Sequence, residues 1–577
     1  MGFLVSPGVE VNEIDLTNVI PAVSTSIGGY AGHFNWGPSG ELVNISSEKD
    51  LQSTFGTPTD SCSTSFLVAA SFLKYGNFLK VSRAVPTDAA NSVGGNTSAA
   101  AVSGPIGNLD AFELLSNTSF GGDKNEYFVA RCPGAYGDSL KVIIGHNGTT
   151  NTDILSNFDY VPGTSEAAAG STTTNDEIHI LVIDEDGLFT GIKGSILEKY
   201  QGLSLASDAK LSGGSNYYKD VINTSSRFLF ANSLEDVFAN ADDPIGTGAI
   251  TDAGASSTPK LENGAIEISF SSGADGTFST TGGTEVTAAL GLFADAESVD
   301  INLLFATPMT TSALQKSIEA EVLAIAADRK DILGCGSASI ELHKQSDDTA
   351  KKNLVIDNAP ATKSNYFATT GSTVYVFNKY LDRFEYITTN GYLAGLCANT
   401  DDVAEPWFSP AGFNRGQILG AAKLSYNPKN TDRDALYKAA INPITNFPGQ
   451  GIVLFGDKTY TLKPSAFDRI NVRRLFMVLE KAISTAAKFQ LFELNDEFTR
   501  AMFRNMTEPF LRDVKGRRGI TDFLVVCDET NNTGDIIDTN RFVADIFIKP
   551  ARSINFITLN FIATRTGVEF SEIVGTN

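Results

Sequence analysis

The sequence predicts an α+β protein of several domains, and three observations carry that prediction. The chain has 577 residues, too many for one hydrophobic core and enough for roughly three or four domains. Short apolar runs of strand character and amphipathic helical runs are mixed along its length, with heavy strand content in the middle. Two stretches dense in small polar residues, 87–125 and 238–285, break the middle in the way loops or insertions do.

Taken in order, residues 1–20 place Val9, Val11 and Ile14 among polar and acidic residues after Ser6-Pro7-Gly8. This reads as an extended arm or edge strand, too short to own a core. Residues 21–86 read as a compact αβ unit. Its parts are a buried strand around 26–32, a short helix opened by Ser47 and closed by Gly56, an amphipathic helix over 63–75 and a strand at 79–85. Strands follow at 127–132, 140–144 and 177–183, then a helix over 314–327 and strand-like segments up to about 390. No internal repeat of fixed period is visible.

From about 391 the pattern strengthens. Ser465 opens a helix through about Lys488, with Val472, Leu475, Phe476, Leu479 and Ile483 spaced as a core-facing seam. Arg474, Lys481 and Lys488 recur every seven residues and so line up nearly opposite that seam. A second helix over 496–515 precedes strand runs at 521–528, 541–549 and 552–564. Asn531-Asn532-Thr533-Gly534 and Pro550 mark the breaks between them.

Composition narrows the function. No window approaches 18 uninterrupted apolar residues, so no membrane span is expected. The first residues lack a basic segment ahead of an apolar one and are not expected to act as a signal peptide. Five scattered cysteines without a CxxC pair suit buried, reduced thiols in a chain that folds in a reducing cytoplasm. The net charge is −23, yet residues 467–577 carry 15 Lys/Arg and 15 Asp/Glu, so the acidity lies wholly in the first 466. Such a body argues against nucleic acid as a partner.

Candidate chemistry is thin. The four histidines, His33, His146, His179 and His343, show no HxxxH or HExxH spacing, and the glycine-rich stretches lack GxxxxGK[ST]. Asp401-Asp402 with Glu405 reads as a solvated loop or helix start. No catalytic, cofactor-binding or metal-binding residue is predicted, and the chain is not expected to be an enzyme. Arg473-Arg474 with Arg469 suit carboxylate pairing inside a domain, while the Arg474, Lys481 and Lys488 stripe also fits a solvated face or a partner contact.

Four phrases go further: Ser6-Pro7-Gly8-Val9-Glu10, Trp407-Phe408-Ser409-Pro410-Ala411-Gly412-Phe413-Asn414-Arg415-Gly416, Phe467-Asp468-Arg469-Ile470-Asn471-Val472-Arg473-Arg474-Leu475-Phe476 and Pro550-Ala551-Arg552-Ser553-Ile554-Asn555-Phe556. They resemble contractile-tail sheath proteins of large-tailed, myovirus-type bacteriophages. The resemblance covers 1–86 and about 380–577 well and the middle loosely, and the chain looks shorter than the largest members, above all at 87–125.

The resemblance implies an inner αβ domain built from both termini, with α+β outer domains inserted between them. The N-terminal arm, 1–20, joins the C-terminal domain. Residues 21–390 form the outer and middle domains, 391–550 the inner, tube-facing domain, and 551–577 a C-terminal strand and arm. It implies a structural subunit that polymerises as hexameric rings stacked helically around the tail tube. Contraction by rigid-body rearrangement then drives the tube through the host envelope. Implied partners are further copies of the chain, the tail tube protein, and baseplate and tail terminator proteins, with no nucleic acid and no direct membrane insertion. The location is the virion tail after synthesis in the bacterial cytoplasm.

Val9, Val11 and Ile14, with Ile554, Phe556 and Ile557, become candidate arms that add strands to neighbouring subunits. Arg474, Lys481 and Lys488 become candidate tube contacts, and Arg415 and Arg552 candidate internal pairs. A tail-associated adhesin or receptor-binding protein is the alternative that the Gly/Ser/Thr-rich stretches would suit.

Overall fold

The strand Gly28–Gly32 lies at the centre of the molecule's main sheet, and its glycines explain how. A Cβ on Gly28 would stand 2.8 Å from the Phe72 ring, and one on Gly29 would stand 3.0 Å from Ile301, so helices and loops press on the backbone from both faces. The computed structural model describes residues 24–95, 104–116, 126–252, 260–262, 264–278, 283–555 and 558–559. These fall into two compact units, one ending at Leu491 and the other beginning at Phe492.

In the first unit, Gly28–Gly32 pairs in parallel with Leu79–Arg83 on one side and Leu303–Ala306 on the other. Leu333–Ser337 and Phe367–Thr370 continue the parallel order, and Leu42–Ile45 closes the opposite edge antiparallel. Helices Ser63–Leu73 and Asn390–Val403 cover one face, and Thr284–Gly291 and Ser312–Arg329 the other. The central strands Gly28–Gly32, Leu303–Ala306 and Leu333–Ser337, buried on both faces, are apolar or small throughout, as a parallel sheet requires. This body is therefore layered α/β, not α+β, and the αβ unit read at 21–86 is half of it. The helix Ser63–Leu73 is buried nearly all round because it is wedged between sheet and helix, so it is not the amphipathic helix expected.

Between Arg83 and the returning helix Thr284–Gly291 the chain builds an antiparallel sheet of its own. Its order is Leu229–Ala231, Glu126–Pro133, Asn91–Gly95, Ala265–Ser271, Leu140–Gly145, Glu177–Asp184 and Ser195–Ser204, with Lys260–Glu262 paired to Ala265–Ser271. Three of these strands, Asn91–Gly95, Lys260–Glu262 and Ala265–Ser271, come from the stretches read as loops, 87–125 and 238–285. The reason is packing. A Cβ on Gly94 would lie 2.8 Å from the Phe270 ring and 3.0 Å from Ile268, so this central strand can carry only a small residue there.

Insertion and body meet at a dense joint. The buried Arg83 guanidinium donates to the carbonyls of Phe34, Asn35 and Gly37 in the body and of Pro133 in the insertion, at 2.8–3.0 Å. Burial lowers it to about 10. The outgoing and returning crossings are tied together by reciprocal hydrogen bonds between Ala90 and Ala274 at 2.9–3.0 Å.

Further along, Val374–Asn378, Arg383–Ile387 and Ala421–Leu424 form a small antiparallel sheet, and Ile444–Phe447 pairs with Gly451–Leu454. The long helix spans Ile470–Ala487 and starts later than Ser465, because Arg469 is held extended in a bridge with Lys458. In the second unit, the Asp496 carboxylate accepts from Thr499 N at 2.8 Å and caps the helix Glu497–Gly516. That helix buries Phe503, Met506, Leu511 and Val514. It packs on the hairpin Ile520–Val526 with Asp545–Pro550. The strand expected over 541–549 thus begins at Asp545, and the linker after Asn532 holds a short helix, Gly534–Asp538.

Candidate assembly surfaces

The helix Ile470–Ala487 carries the predicted cationic stripe, and its first two turns enter the interior. Val472, Leu475 and Leu479 of the seam are fully buried, but so are Asn471, Arg473 and Arg474. Arg474 donates to the Cys397 carbonyl at 3.0 Å, to the Thr25 carbonyl at 3.3 Å and to the Asp401 carboxylate at 2.6 Å. Burial pushes the Asp401 carboxyl up, and the Arg474 charge and hydrogen bond pull it back. An arginine keeps its proton, so the two form a buried ion pair.

Arg473 reaches Glu480 at 3.0 Å and lies 4.3 Å from the Tyr366 ring centroid. Arg469 reaches Asp457 at 3.1 Å. Internal carboxylate pairing is therefore what Arg469, Arg473 and Arg474 do. The stripe as a single outward face is corrected: Arg474 is interior, and Lys481 is largely buried and paired with Asp300. Lys488, at the helix end, is exposed. Asp401, read as solvated, is likewise interior.

Around this helix the phrase 407–416 folds back on the body. Asn471 donates to the Trp407 carbonyl at 3.3 Å, and Arg415 donates to the Ser409 carbonyl at 2.9 Å with its guanidinium 5.3 Å from the Phe408 ring. Arg415 is thus internal, as expected, though its partner is a carbonyl. Arg552, expected to pair internally, is exposed and makes no ion pair among the described residues.

Of the candidate arms, Val9, Val11, Ile14, Phe556 and Ile557 lie outside the described residues. Ile554 is 81% exposed in a segment, 551–555, that carries no strand, so the run read at 552–564 does not begin as one. The second unit offers a partner for added strands. Ile520–Val526 and Asp545–Pro550 pair only with each other among the described residues, which leaves an outer edge on each. Leu524 and Phe547 on this hairpin are each 58% exposed. Two-stranded sheets with a bare apolar face are marginal alone and are completed by further strands. No group of three His, Cys, Asp or Glu among the described residues is placed to hold a metal ion, and no described helix is long and apolar enough to cross a membrane.

The described residues thus form a layered α/β body with an antiparallel insertion, and a unit whose small sheet has unpaired outer edges among those residues. Three family models match in order: the N-terminal region of tail sheath protein Gp18 domain III over 25–84, the phage tail sheath central domain over 282–460 and the phage tail sheath C-terminal domain over 462–564. The insertion falls between the first two. The tail sheath protein of Vibrio phage KVP40 is 33% identical over 99% of this chain and 100% of its own length. That of Enterobacteria phage T4 is 33% identical over 99% of both. The sheath tail protein of Listeria innocua shares the fold, with a TM-score of 0.52 at 12% identity, covering 93% of this chain and 97% of that one. The chain belongs to the phage tail sheath protein family.

Proposed function

We propose that this chain is the structural subunit of a contractile phage tail sheath, located in the virion tail and made in the bacterial cytoplasm. Copies assemble as hexameric rings stacked helically around the tail tube and meet baseplate and terminator proteins at the ends. Contraction is a rigid-body rearrangement of subunits that drives the tube through the host envelope, and the chain catalyses nothing. The observation that carries this reading is similarity to tail sheath proteins along essentially the whole chain. A tail-associated adhesin gains no support from it.

Two features of the molecule suit the mechanism. The insertion is fixed to the body by the Arg83 joint, so both can move as one block. Among the described residues the outer edges of the hairpin Ile520–Val526 with Asp545–Pro550 are unpaired, and an arm from a neighbour can satisfy their backbone donors and acceptors together. In this reading residues 1–20 and 391–577 lie inward, 21–390 outward, and Lys488 supplies what is left of the predicted stripe at the tube.

Truncation tests the proposal. Removing residues 1–14, or the last 20, abolishes polymerisation in sedimentation while circular dichroism shows a folded protomer, because neither segment owns a core. Loss of the fold would instead show that these segments complete their own subunit.

A further inference from the structure

The second unit is nearly neutral in sum and sharply divided in space. Residues 492–555 carry 9 Lys/Arg and 11 Asp/Glu. The helix Glu497–Gly516 packs along the hairpin Ile520–Val526 with Asp545–Pro550, so the unit has two ends. At one end Val526 pairs with Asp545, and Asn495 donates to the Arg541 carbonyl at 2.9 Å, which joins the helix start to the loop between the strands. Residues 492–497 and 526–545, which make this end, hold eight Asp/Glu against Arg541 alone. All eight carboxylates are exposed, and none makes an ion pair among the described residues. Arg500 and Arg504 lie about one and two turns into the helix. Arg500 is buried and donates to Asn495, and Arg504 is half-buried, so the surface at this end stays acidic.

At the other end Ile520 pairs with Pro550, and Ala551 N donates to the Gly519 carbonyl at 3.1 Å, just past the helix. Residues 512–522 and 546–555 hold six Lys/Arg and two Asp, all exposed. Arg512 pairs with Glu508 at 3.8 Å and Arg517 with Asp513 at 3.1 Å, while Lys515 and Lys549 share Asp522 at 3.3 and 3.7 Å. Exposed pairs of this kind are weak and exchange partners readily. Arg518 and Arg552 make no ion pair among the described residues. A helix dipole favours acid at its start and base at its end, but it acts only over the first and last turn. It does not account for Asp528, Asp535, Asp538 and Asp545, or for Lys549 and Arg552, which lie on the hairpin, its loop and its exit.

The two ends cannot neutralise each other within one copy. The 20 residues of the helix hold them about 30 Å apart, far beyond the Debye length of about 8 Å at physiological salt. Resting on the sheath reading, we propose that the basic end of this unit in one copy docks on the acidic end of the same unit in the next copy. Symmetry holds this unit at one distance from the sheath axis in every copy, so the ends meet without spanning inner and outer layers. Because the ends differ, the contact is heterologous and repeats into a ring or helix instead of closing as a dimer. It gives the assembly a direction, and it acts together with the arms that add strands to the hairpin. Each contact is weak, its strength comes from repetition over many copies, and added salt loosens it.

The test uses the full chain and reads the protein concentration at which polymers first sediment at low salt. One triple variant, Arg518→Glu, Lys549→Glu and Arg552→Glu, reverses the basic end. A second, Glu529→Lys, Asp535→Lys and Asp538→Lys, reverses the acidic end. Wild type polymerises, and each variant alone needs at least a tenfold higher concentration while its thermal melt is unchanged. An equimolar mixture of the two recovers most of the loss, because alternating copies restore opposite charge at every contact. Either variant assembling alone at the wild-type threshold, or a mixture that does not recover, overturns the docking proposal and leaves the sheath reading standing. Wild-type chain that never polymerises overturns the sheath reading, and the docking proposal with it.

Discussion

The body and the insertion are built from the same chain on opposite principles. The body is a parallel sheet buried on both faces, made from strands that are far apart in sequence, and two family models match its two parts. The insertion is antiparallel, strongly acidic and falls between those matches. More than a hundred of the 689 positions aligned with the Vibrio phage KVP40 protein face no residue of this chain, so family members differ in how much they carry. The two designs place different demands on the chain. Strands that depend on partners hundreds of residues away fix the body, whereas an insertion anchored at one joint can change size without disturbing that sheet.

The largest effect that would sharpen this contrast is expected in the body. Arg474→Ala leaves Asp401 buried and unpaired and should cost about 3–5 kcal/mol of stability, measured by denaturant unfolding. Arg474→Met combined with Asp401→Leu should cost much less than the single change. Equal losses would show that packing, not charge, holds this part of the body.

Next comes pH. Glu319, buried between Ser312–Arg329 and Leu333–Ser337, accepts from Ser337 N at 2.7 Å and from Gln315 at 3.1 Å, yet burial pushes it up to about 7. The folded state therefore holds this proton more tightly than the unfolded chain. Its contribution should fall as pH rises from about 4.3 to about 7 and then level off, a change on the order of 3 kcal/mol. Unfolding midpoints across that range should slope for wild type and flatten for Glu319→Gln. Parallel slopes would remove Glu319 as the cause.

In the insertion, Gly94→Ala should cost about 1–3 kcal/mol through its clash with Phe270. Hydrogen exchange should rise in Asn91–Gly95 and Ala265–Ser271 and stay unchanged in Gly28–Gly32. A rise in the body strand as well would mean the two parts share one cooperative core. The smallest change is Lys488→Glu, which should alter protomer stability by less than about 0.5 kcal/mol and weaken cosedimentation with tube.

How far the sequence reveals this architecture depends on the range of the contacts involved. Local signals were readable: Ser47 accepts from Asp50 N at 3.2 Å and opens its helix as expected, and Gly56 ends it at φ 80°. The strands at 28–32 and 79–83 were also legible. That they share a sheet with 303–306, 333–337 and 367–370 was not, since nothing local specifies a distant parallel partner. Asn91–Gly95 looked like a loop because its small residues reflect the crowding of Phe270 and Ile268, which the local sequence does not show. Arg474, Lys481 and Lys488 do recur every seven residues. Whether that stripe meets solvent was decided by Asp401 and Thr25, 73 and 449 residues away. The Arg469–Arg474 pairing was legible in outline, because arginines beside an apolar seam need carboxylates or carbonyls.

The central claim is that copies of this chain form a sheath with the insertion outward and the 467–577 region inward. Electron cryomicroscopy of the purified full-length protein tests it most directly. The account predicts hollow helical tubes with residues 85–281 on the outer rim and residues 467–577 lining the lumen. Dispersed monomers, or tubes with the insertion lining the lumen and the helix Ile470–Ala487 on the outer rim, would contradict it.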